Sequence, residues 1–262
     1  MAKMSDNHYT IQVVAHALDL FEQFLHGSDE LSATEISNLL KLSTQSTFRL
    51  LTTLEARGYI EKNFVTDRYR LGLKTFELRQ NYLSQSGLLT RARPFLEKLL
   101  SASGETAYLV YLDKTHIVYV AAMESSQPVH VASRRGARLP AYCTASGKAL
   151  IAGIPDAKLD HLFPEGTMQS FTDRTSSSMT TLKKELQQVI RQGYAVDNEE
   201  YDREVCCVAA PVFGSTGRAV GALSISGPAF RMSSDRVENE LAPLILQSCT
   251  DLSKHLGFHG EA

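Results

Sequence analysis

The stretch LSATEISNLLKLSTQSTFRLLTTLEARGYIE, residues 31–61, predicts two short amphipathic helices joined by a tight turn. Ser32 and Glu35 have the S-x-x-E spacing of a capping box, so the first helix is predicted to begin after Ser32. Ser43 is the expected N-cap of the second helix, and Gly58 is its expected end. The side chains predicted to face inward are Ile36, Leu39, Leu40, Phe48, Leu50, Leu51 and Leu54. Two such helices are typical of a helix-turn-helix.

The sequence on either side extends this pattern to a winged helix. Upstream, residues 11–25 predict a helix whose apolar stripe consists of Val13, Val14, Ala17, Leu18, Phe21, Phe24 and Leu25. Downstream, residues 58–72 contain two short β-prone runs around 65–68, which predict a hairpin, here called the wing. The first domain is therefore predicted to span residues 10–72.

The distribution of charge favours DNA as the partner of this domain. Residues 41–80 contain eight basic and four acidic side chains, whereas residues 1–40 contain one basic and six acidic side chains. The alternative is a small helical domain that binds protein, but it leaves the basic surplus and the wing unexplained. Exposed hydrogen-bonding and basic side chains read base edges or hold phosphates. The predicted DNA contacts are Thr44, Gln45, Ser46, Thr47, Arg49, Arg68 and Arg70.

The rest of the chain predicts a linker helix and a second domain. Residues 73–87 are predicted to form the linker helix, ending at Gly87, and residues 88–257 the second domain. Segments typical of strands are 106–112, 116–123 and 128–133, followed by a hairpin at 204–226; helices are expected near 88–101, at 180–192 and from 237 onward. Antiparallel strands with helices segregated around them predict an α+β fold.

A Gly-Lys pair in LPAYCTASGKALIAG, residues 139–153, raises the question of a phosphate-binding loop. A P-loop requires Gly-x-x-x-x-Gly-Lys-Ser/Thr. Counted from Gly147, the first glycine is replaced by Tyr142 and the hydroxyl residue after Lys148 by Ala149. The pattern therefore argues against nucleotide binding.

Composition excludes several classes of protein. None of the sequence approaches the length of apolar segment that spans a bilayer, and the first ten residues lack the apolar segment of a signal peptide. The four cysteines have neither zinc-site spacing nor the density of a disulfide scaffold. We expect a reduced, cytoplasmic protein with no metal and no cofactor.

An enzyme is the main competing hypothesis, with Cys207 or Cys143 as the nucleophile. Such chemistry needs a base beside the thiol, and His116, His130 and His161 form no recognisable pair with a cysteine. H-E-x-x-H and G-x-S-x-G are also absent from the sequence. The expectation is a protein without enzymatic activity.

Taken together, these segments resemble the IclR family of bacterial transcriptional regulators over residues 10–257. The matching stretches are residues 31–61 with YRLG at 69–72, GARLPAYCTASGKALIA at 136–152, and GYAVDNEEYDREVCCVAAPVFGSTGRAVGALSISGP at 193–228. The resemblance implies a ligand-responsive, DNA-binding dimer or tetramer with a GAF/PAS-like effector-binding domain. A repressor is expected, although the sequence does not decide between activation and repression. The resemblance also places the Gly-Lys stretch in that domain, where free amides at a helix N-terminus suit an anionic ligand.

The family's ligand-contacting positions can be transferred residue by residue. They fall on Asp197, Cys207, Ser224 and Ser226. Free amides near Thr144 and Ala145, at the start of the predicted helix, complete the expected site, and we expect a small metabolite, most simply a carboxylate. Thr144 is expected to cap the helix that carries Lys148, and Gly147 to let this helix pack close to a strand. Many members have Gly-x-Arg-Cys where this chain has Glu204-Val205-Cys206-Cys207, which removes a positive charge near the pocket.

Overall fold

The computed structural model describes residues 10–25, 29–78, 87–164 and 166–260. The chain divides into two compact units, and the boundary between them lies in the segment 79–86. No helix in the described part of the chain is long and apolar enough to cross a membrane.

The N-terminal unit is a three-helix bundle followed by a two-stranded hairpin. Its elements are α1 (Gln12–Leu25), α2 (Ala33–Leu40), α3 (Thr44–Ala56), β1 (Ile60–Asn63), β2 (Arg68–Leu71) and α4 (73–78). The strands pair antiparallel, and Leu31 forms an isolated antiparallel bridge with Tyr69. The fully or nearly buried core consists of Leu20, Leu31, Ile36, Leu40, Leu50, Leu51, Ile60 and Tyr69.

The caps predicted for α2 and α3 are confirmed. The Ser32 hydroxyl accepts a hydrogen bond from the Glu35 amide at 3.2 Å, and the Glu35 carboxylate accepts one from the Ser32 amide at 2.7 Å. Ser43 accepts from the Ser46 amide at 3.2 Å at the start of α3. The caps fix where each helix begins.

Several apolar positions are exposed where the sequence predicted burial. Leu39 and Phe48 are exposed, although α2 and α3 begin at the predicted caps. Among the described side chains of α1 the fully buried one is Leu20, which the predicted stripe omitted, while Val14 and Leu18 face solvent. The side chain of Leu25 lies outside the described part of the chain. Because the bundle has only three helices, much of each helix surface faces solvent. Each helix therefore buries a narrower stripe than its apolar pattern indicates.

The predicted linker helix is only partly within the described residues. Residues 73–78 are helical, and residues 79–86 lie outside the described part of the chain. Gly87 begins the next helix, whereas the sequence predicted that Gly87 would end the linker.

The C-terminal unit contains one six-stranded antiparallel sheet and helices on both of its faces. The helices are α5 (Gly87–Ser103), α6 (Ala145–Ile151), α7 (Asp156–Leu162), α8 (Met179–Gln192), α9 (Ser234–Arg236) and α10 (Ala242–His255). The strands are β3 (Thr106–Asp113), β4 (His116–Met123), β5 (Arg138–Pro140), β6 (Ala195–Asn198), β7 (Val205–Phe213) and β8 (Ala219–Pro228). They are ordered β5-β4-β3-β8-β7-β6, with all neighbours antiparallel, which confirms the α+β prediction.

The two faces of this sheet have different character. One face packs against α5 and α10 through a continuous apolar cluster that includes Leu109, Val208 and Leu223. The other face packs against α6, which is buried over its whole length. Alternation along β7 places Cys206 on the first face and Cys207 on the second. The second face carries the buried polar side chains Thr106, Asp197, Ser224 and Ser226.

The strand predicted at 128–133 does not form. The carbonyl of Val131 accepts a hydrogen bond from the Thr106 hydroxyl at 2.8 Å, and that of Ala132 accepts one from the Tyr108 hydroxyl at 2.8 Å. Side chains of β3 therefore take the hydrogen bonds of these two backbone carbonyls, which would otherwise be available to a neighbouring strand. The short strand β5 pairs with β4 instead.

Gly147 allows a very close approach of two backbones. A Cβ atom at this position would lie 2.2 Å from the carbonyl oxygen of Ala141. The sequence predicted a close contact with a strand, but the partner is the 3₁₀ turn Ala141–Cys143 that directly precedes α6. This contact seats α6 on the polar face of the sheet.

Gly147→Ala is therefore expected to destabilise the C-terminal unit. Two backbone segments must move apart to admit the methyl group, which should lower the free energy of unfolding by about 3 kcal/mol. Urea denaturation measures the change. Gly153→Ala is the matched control, because no atom lies within 4 Å of its added Cβ. Equal stability of the two variants would show that the Gly147 contact is easily relaxed.

Candidate functional sites

The outer face of α3 is polar at its start. Thr44, Gln45 and Ser46 are exposed, as predicted. Arg49 is also exposed, and its guanidinium has no ion-pair partner among the described residues. Thr47 differs: it is 1% exposed, and its hydroxyl donates to the Ser43 carbonyl at 3.0 Å. Thr47 belongs to the core, so the prediction that it is an exposed DNA contact is wrong.

The basic side chains of the wing are held by acidic neighbours. Arg68 lies 2.6 Å from the Glu35 carboxylate, and Arg70 lies 2.7 Å from that of Glu61. These pairs are exposed, so each contributes little to stability and can exchange for a phosphate. The arginines can still reach a nucleic-acid backbone, but only in competition with these carboxylates.

The wing is also tied to the segment before α2. Glu30 accepts hydrogen bonds from the Asn63 amide and the Thr66 hydroxyl, each at 2.7 Å. Arg68, on the other side of the wing turn, contacts Glu35. Both ends of the turn therefore bond either to α2 or to Glu30, which precedes it. The Arg68 and Ser32 contacts lower the pKa of Glu35 to about 2, with the Ser32 backbone hydrogen bond as the largest cause. The hydrogen bonds to Glu30, together with the two backbone hydrogen bonds between Leu31 and Tyr69, therefore set the position of the wing relative to α2.

In the C-terminal unit, four polar residues form one row across the sheet. Asp197 lies opposite Cys207, Cys207 opposite Ser226, and Ser226 opposite Thr106. The Ser226 hydroxyl donates to the Cys207 sulfur at 3.1 Å. Cross-strand partners point to the same face, so the structure brings three of the predicted effector contacts together.

Ser224 lies in the adjacent row on the same face. Its cross-strand partners are Tyr108 and Ala209. It is buried, and its hydroxyl has no hydrogen-bond partner in the described part of the chain. The hydroxyl is not among the completely buried polar atoms that lack a partner, so it keeps some solvent access and is available to a bound molecule.

The start of α6 faces this polar surface. The prediction that Thr144 caps α6 is wrong, because its hydroxyl donates to the Pro140 carbonyl at 3.0 Å. The first intrahelical bond runs from the Lys148 amide to the Thr144 carbonyl. The amides of Ala145 and its two successors consequently have no intrahelical partner.

Lys148, next to Gly147, lies in a buried ion-pair cluster that sequence analysis did not identify. Its ammonium is 2.5 Å from the Glu200 carboxylate and 3.2 Å from that of Glu185. Burial lowers the pKa of Lys148, but the two carboxylates outweigh this and raise it. The second carboxylate oxygen of Glu200 is buried without a hydrogen-bond partner among the described residues. The only sequence signal was a lysine within an otherwise apolar helix.

Asp197 lies close to this cluster and is itself buried. One carboxylate oxygen accepts a hydrogen bond from the Glu200 amide at 2.8 Å. Burial, followed by repulsion from Glu200, raises the pKa of Asp197 to about 7. At neutral pH the side chain can therefore be protonated and donate a hydrogen bond, whereas an ionised carboxylate only accepts.

Arg134 adds a cation to the same region. Its guanidinium forms an ion pair with Asp202 and lies 5.7 Å from the centre of the Tyr201 ring. Burial raises the pKa of Cys207 and of Tyr119 on the polar face, and the positive charge of Arg134 opposes this rise. Arg134 precedes the matched stretch 136–152, so no site residue was predicted there.

The thiols are poorly suited to nucleophilic catalysis. Burial raises the pKa of both Cys143 and Cys207 far above the normal range for cysteine. The thiolate is the reactive form, and it is disfavoured at both positions. The raised pKa of each thiol therefore argues against the cysteine-nucleophile hypothesis.

Asp197→Asn is expected to change how stability depends on pH. A raised pKa means that the folded protein binds the proton more tightly, so stability falls as pH rises from about 4 to about 7 and is constant above that range. The side chain of the asparagine keeps an oxygen that can accept the hydrogen bond from the Glu200 backbone N–H, but it does not ionise. Its stability relative to wild type should be roughly 3 kcal/mol more favourable at pH 8 than at pH 5, measured by urea denaturation.

The exposed residue Asp173 provides the control, as Asp173→Asn removes a carboxylate without changing a buried site. An equal effect of Asp197→Asn at both pH values would show that Asp197 is already ionised at pH 5 in the folded protein.

Comparison with known proteins identifies the family of both units. Residues 13–63 match the IclR helix-turn-helix domain, and residues 80–254 match the bacterial transcriptional regulator IclR C-terminal domain. The HTH-type transcriptional regulator XynR of Escherichia coli K12 is 35% identical, covering 95% of this chain and 98% of its own length. The HTH-type transcriptional repressor AllR of the same strain is 31% identical over 86% and 83%, respectively.

Among solved structures, a putative transcriptional regulator from Rhodococcus sp. RHA1 superimposes with a TM-score of 0.83 at 32% identity, covering 94% of this chain and 98% of the other. These relatives regulate transcription, which confirms the prediction of a protein without enzymatic activity. The chain belongs to the IclR family of transcriptional regulators, with an N-terminal helix-turn-helix domain and a C-terminal effector-binding domain.

Proposed function

We propose that this regulator binds operator DNA as a dimer or a tetramer, in the cytoplasm, and responds to a small carboxylate held on the polar face of the C-terminal sheet. The observation that carries the DNA proposal is the outer face of α3, where Gln45 and Arg49 are exposed and have no side-chain partner among the described residues. Arginine pairs with guanine and glutamine with adenine in the major groove. The wing supplies further cations in Arg68 and Arg70.

A dimer follows from the size of the reading surface. One recognition helix covers only a half-site, and a two-fold dimer pairs two of them on a near-palindrome. The exposed apolar side chains Val14 and Leu18 of α1 offer surface for such an assembly. The name of AllR as a repressor supports repression as the mode of action.

The carboxylate proposal rests on the donors that converge on the polar face. Ser224 has an unused hydroxyl, Ser226 can turn its hydroxyl away from Cys207, and the first amides of α6 have no intrahelical partner. A protonated Asp197 adds a donor, which removes the repulsion that an ionised carboxylate would impose on an anion. Arg134 contributes positive charge nearby.

A ligand of this site can change DNA binding only if it binds one conformation of the protein more tightly than another and the two conformations differ in their affinity for DNA. Cys207 would supply a close, polarisable contact within the row that also includes Asp197 and Ser226. Release of the operator is the expected response, with the effector favouring the state that binds DNA less tightly.

Arg49→Ala is expected to weaken operator binding by about 1–3 kcal/mol, because it removes a direct contact with a base edge. The operator is a duplex that the full-length protein selects from a random-sequence library, and fluorescence anisotropy measures its affinity. Arg218→Ala removes the same charge from an exposed position of the C-terminal unit and is the control. Unchanged affinity of the Arg49 variant would place the DNA contact outside this face of α3.

The double variant Ser224→Ala with Ser226→Ala is expected to bind the effector roughly 10- to 100-fold more weakly, because two hydrogen bonds to a charged group are lost. The ligand is the organic acid or sugar acid that gives the largest thermal shift in a screen, and calorimetry measures its affinity. Operator affinity without ligand should be unchanged. Ser215→Ala, in an exposed turn, is the control. Undiminished affinity in the double variant would place the effector elsewhere.

A further inference from the structure

Phe48 is an aromatic side chain that neither the core nor the proposed DNA contacts use. Its side chain is 65% exposed, while the buried residues of α3 are Thr47, Leu50 and Leu51. A single exposed apolar residue is ordinary on a protein surface. The significance of Phe48 comes from its neighbours.

Phe48 lies within the outer face of α3. Gln45, Phe48, Arg49 and Thr52 are spaced i, i+3, i+4 and i+7, which places them on one side of a helix. All four are exposed. The side chains of Gln45 and Arg49 have no hydrogen-bond or ion-pair partners among the described residues. If α3 presents Gln45 and Arg49 to the bases, the ring of Phe48 must face the bases as well, because all three lie on the same side of the helix.

The major groove offers one apolar group to such a ring, the 5-methyl group of thymine. Cytosine, at the same pyrimidine edge, presents an amino group instead. We propose that Phe48 contacts a thymine methyl group in each half-site and makes the protein prefer thymine at that position. This inference rests on the proposed entry of α3 into the major groove, and it adds a base preference that hydrogen bonding by Gln45 and Arg49 does not provide.

The experiment replaces thymine by uracil, which removes only the methyl group and keeps base pairing. Each thymine of the selected duplex is replaced in turn, symmetrically in both half-sites, and affinity is measured for wild type and for Phe48→Ala. We expect one position at which wild type loses about fourfold in affinity per half-site, the effect of one buried methyl group. Phe48→Ala should bind the thymine duplex more weakly and should not distinguish thymine from uracil at that position.

Phe230→Ala is the matched control, since Phe230 is 73% exposed in the C-terminal unit. This variant should retain the wild-type loss at every substituted thymine. Thermal unfolding and light scattering establish that each variant is folded and has the wild-type oligomeric state.

The outcomes separate the inference from the proposed function. If no duplex is bound above non-specific affinity, the DNA proposal itself fails. If the duplex is bound and Arg49→Ala weakens it, but Phe48→Ala remains as sensitive to uracil as wild type, then the thymine contact is overturned and operator recognition stands. A changed oligomeric state of Phe48→Ala with intact thymine discrimination would assign Phe48 to a contact between copies of the chain and would also overturn the inference.

Discussion

The contact between Gly147 and the backbone of Ala141 is the constraint on which the candidate effector site depends. It holds α6 against the preceding turn, closer than any side chain would permit. Lys148, the next residue, is thereby carried into the interior, where it pairs with Glu200. The Glu200 amide in turn orients Asp197. One steric requirement thus propagates through three residues to a carboxylate on the polar face of the sheet.

The charges of the C-terminal unit show how a polar surface is stabilised inside a small domain. Lys148 has two carboxylate partners, and the fully buried Glu105 accepts two hydrogen bonds from Arg231 at 2.6 and 2.8 Å. Burying a charge is costly unless it is paired. Asp197 is different, because none of the described cations lies within ion-pairing distance of it; its neutral form is favoured instead. The site therefore combines fixed charges with one group that can change its protonation state.

The sequence predicts the helices and strands well because each is determined by residues that are close together in the chain. The capping box at Ser32, the N-cap at Ser43 and the long β-prone runs of the hairpin are each contained in a few residues. Burial is less predictable. Thr47 is polar yet fills the core because its hydroxyl bonds to the Ser43 carbonyl, and Phe48 is apolar yet exposed. The burial of Thr47 and the exposure of Phe48 both depend on how much of α3 packs against the other helices, which tertiary packing determines.

The same distinction holds for the effector site. Strand alternation predicts that Ser224 and Ser226 share a face, and the register places Cys207 and Asp197 beside them. Lys148 and Arg134 could not be found this way, because their partners are 52 and 68 residues away in sequence. Only the fold brings such groups together. The two arginines of the wing were predicted, but the carboxylates that hold them became visible only in three dimensions.

The attachment of the wing to the first turn of α2 has a consequence for the evolution of this domain. Glu35 both caps α2 and holds Arg68, so the scaffold is fastened by residues that lie outside the outer face of α3. Side chains on that face can be exchanged without loosening the hairpin. New surface chemistry can therefore arise by substitution at a few exposed positions of α3, while the frame that holds this helix is inherited unchanged.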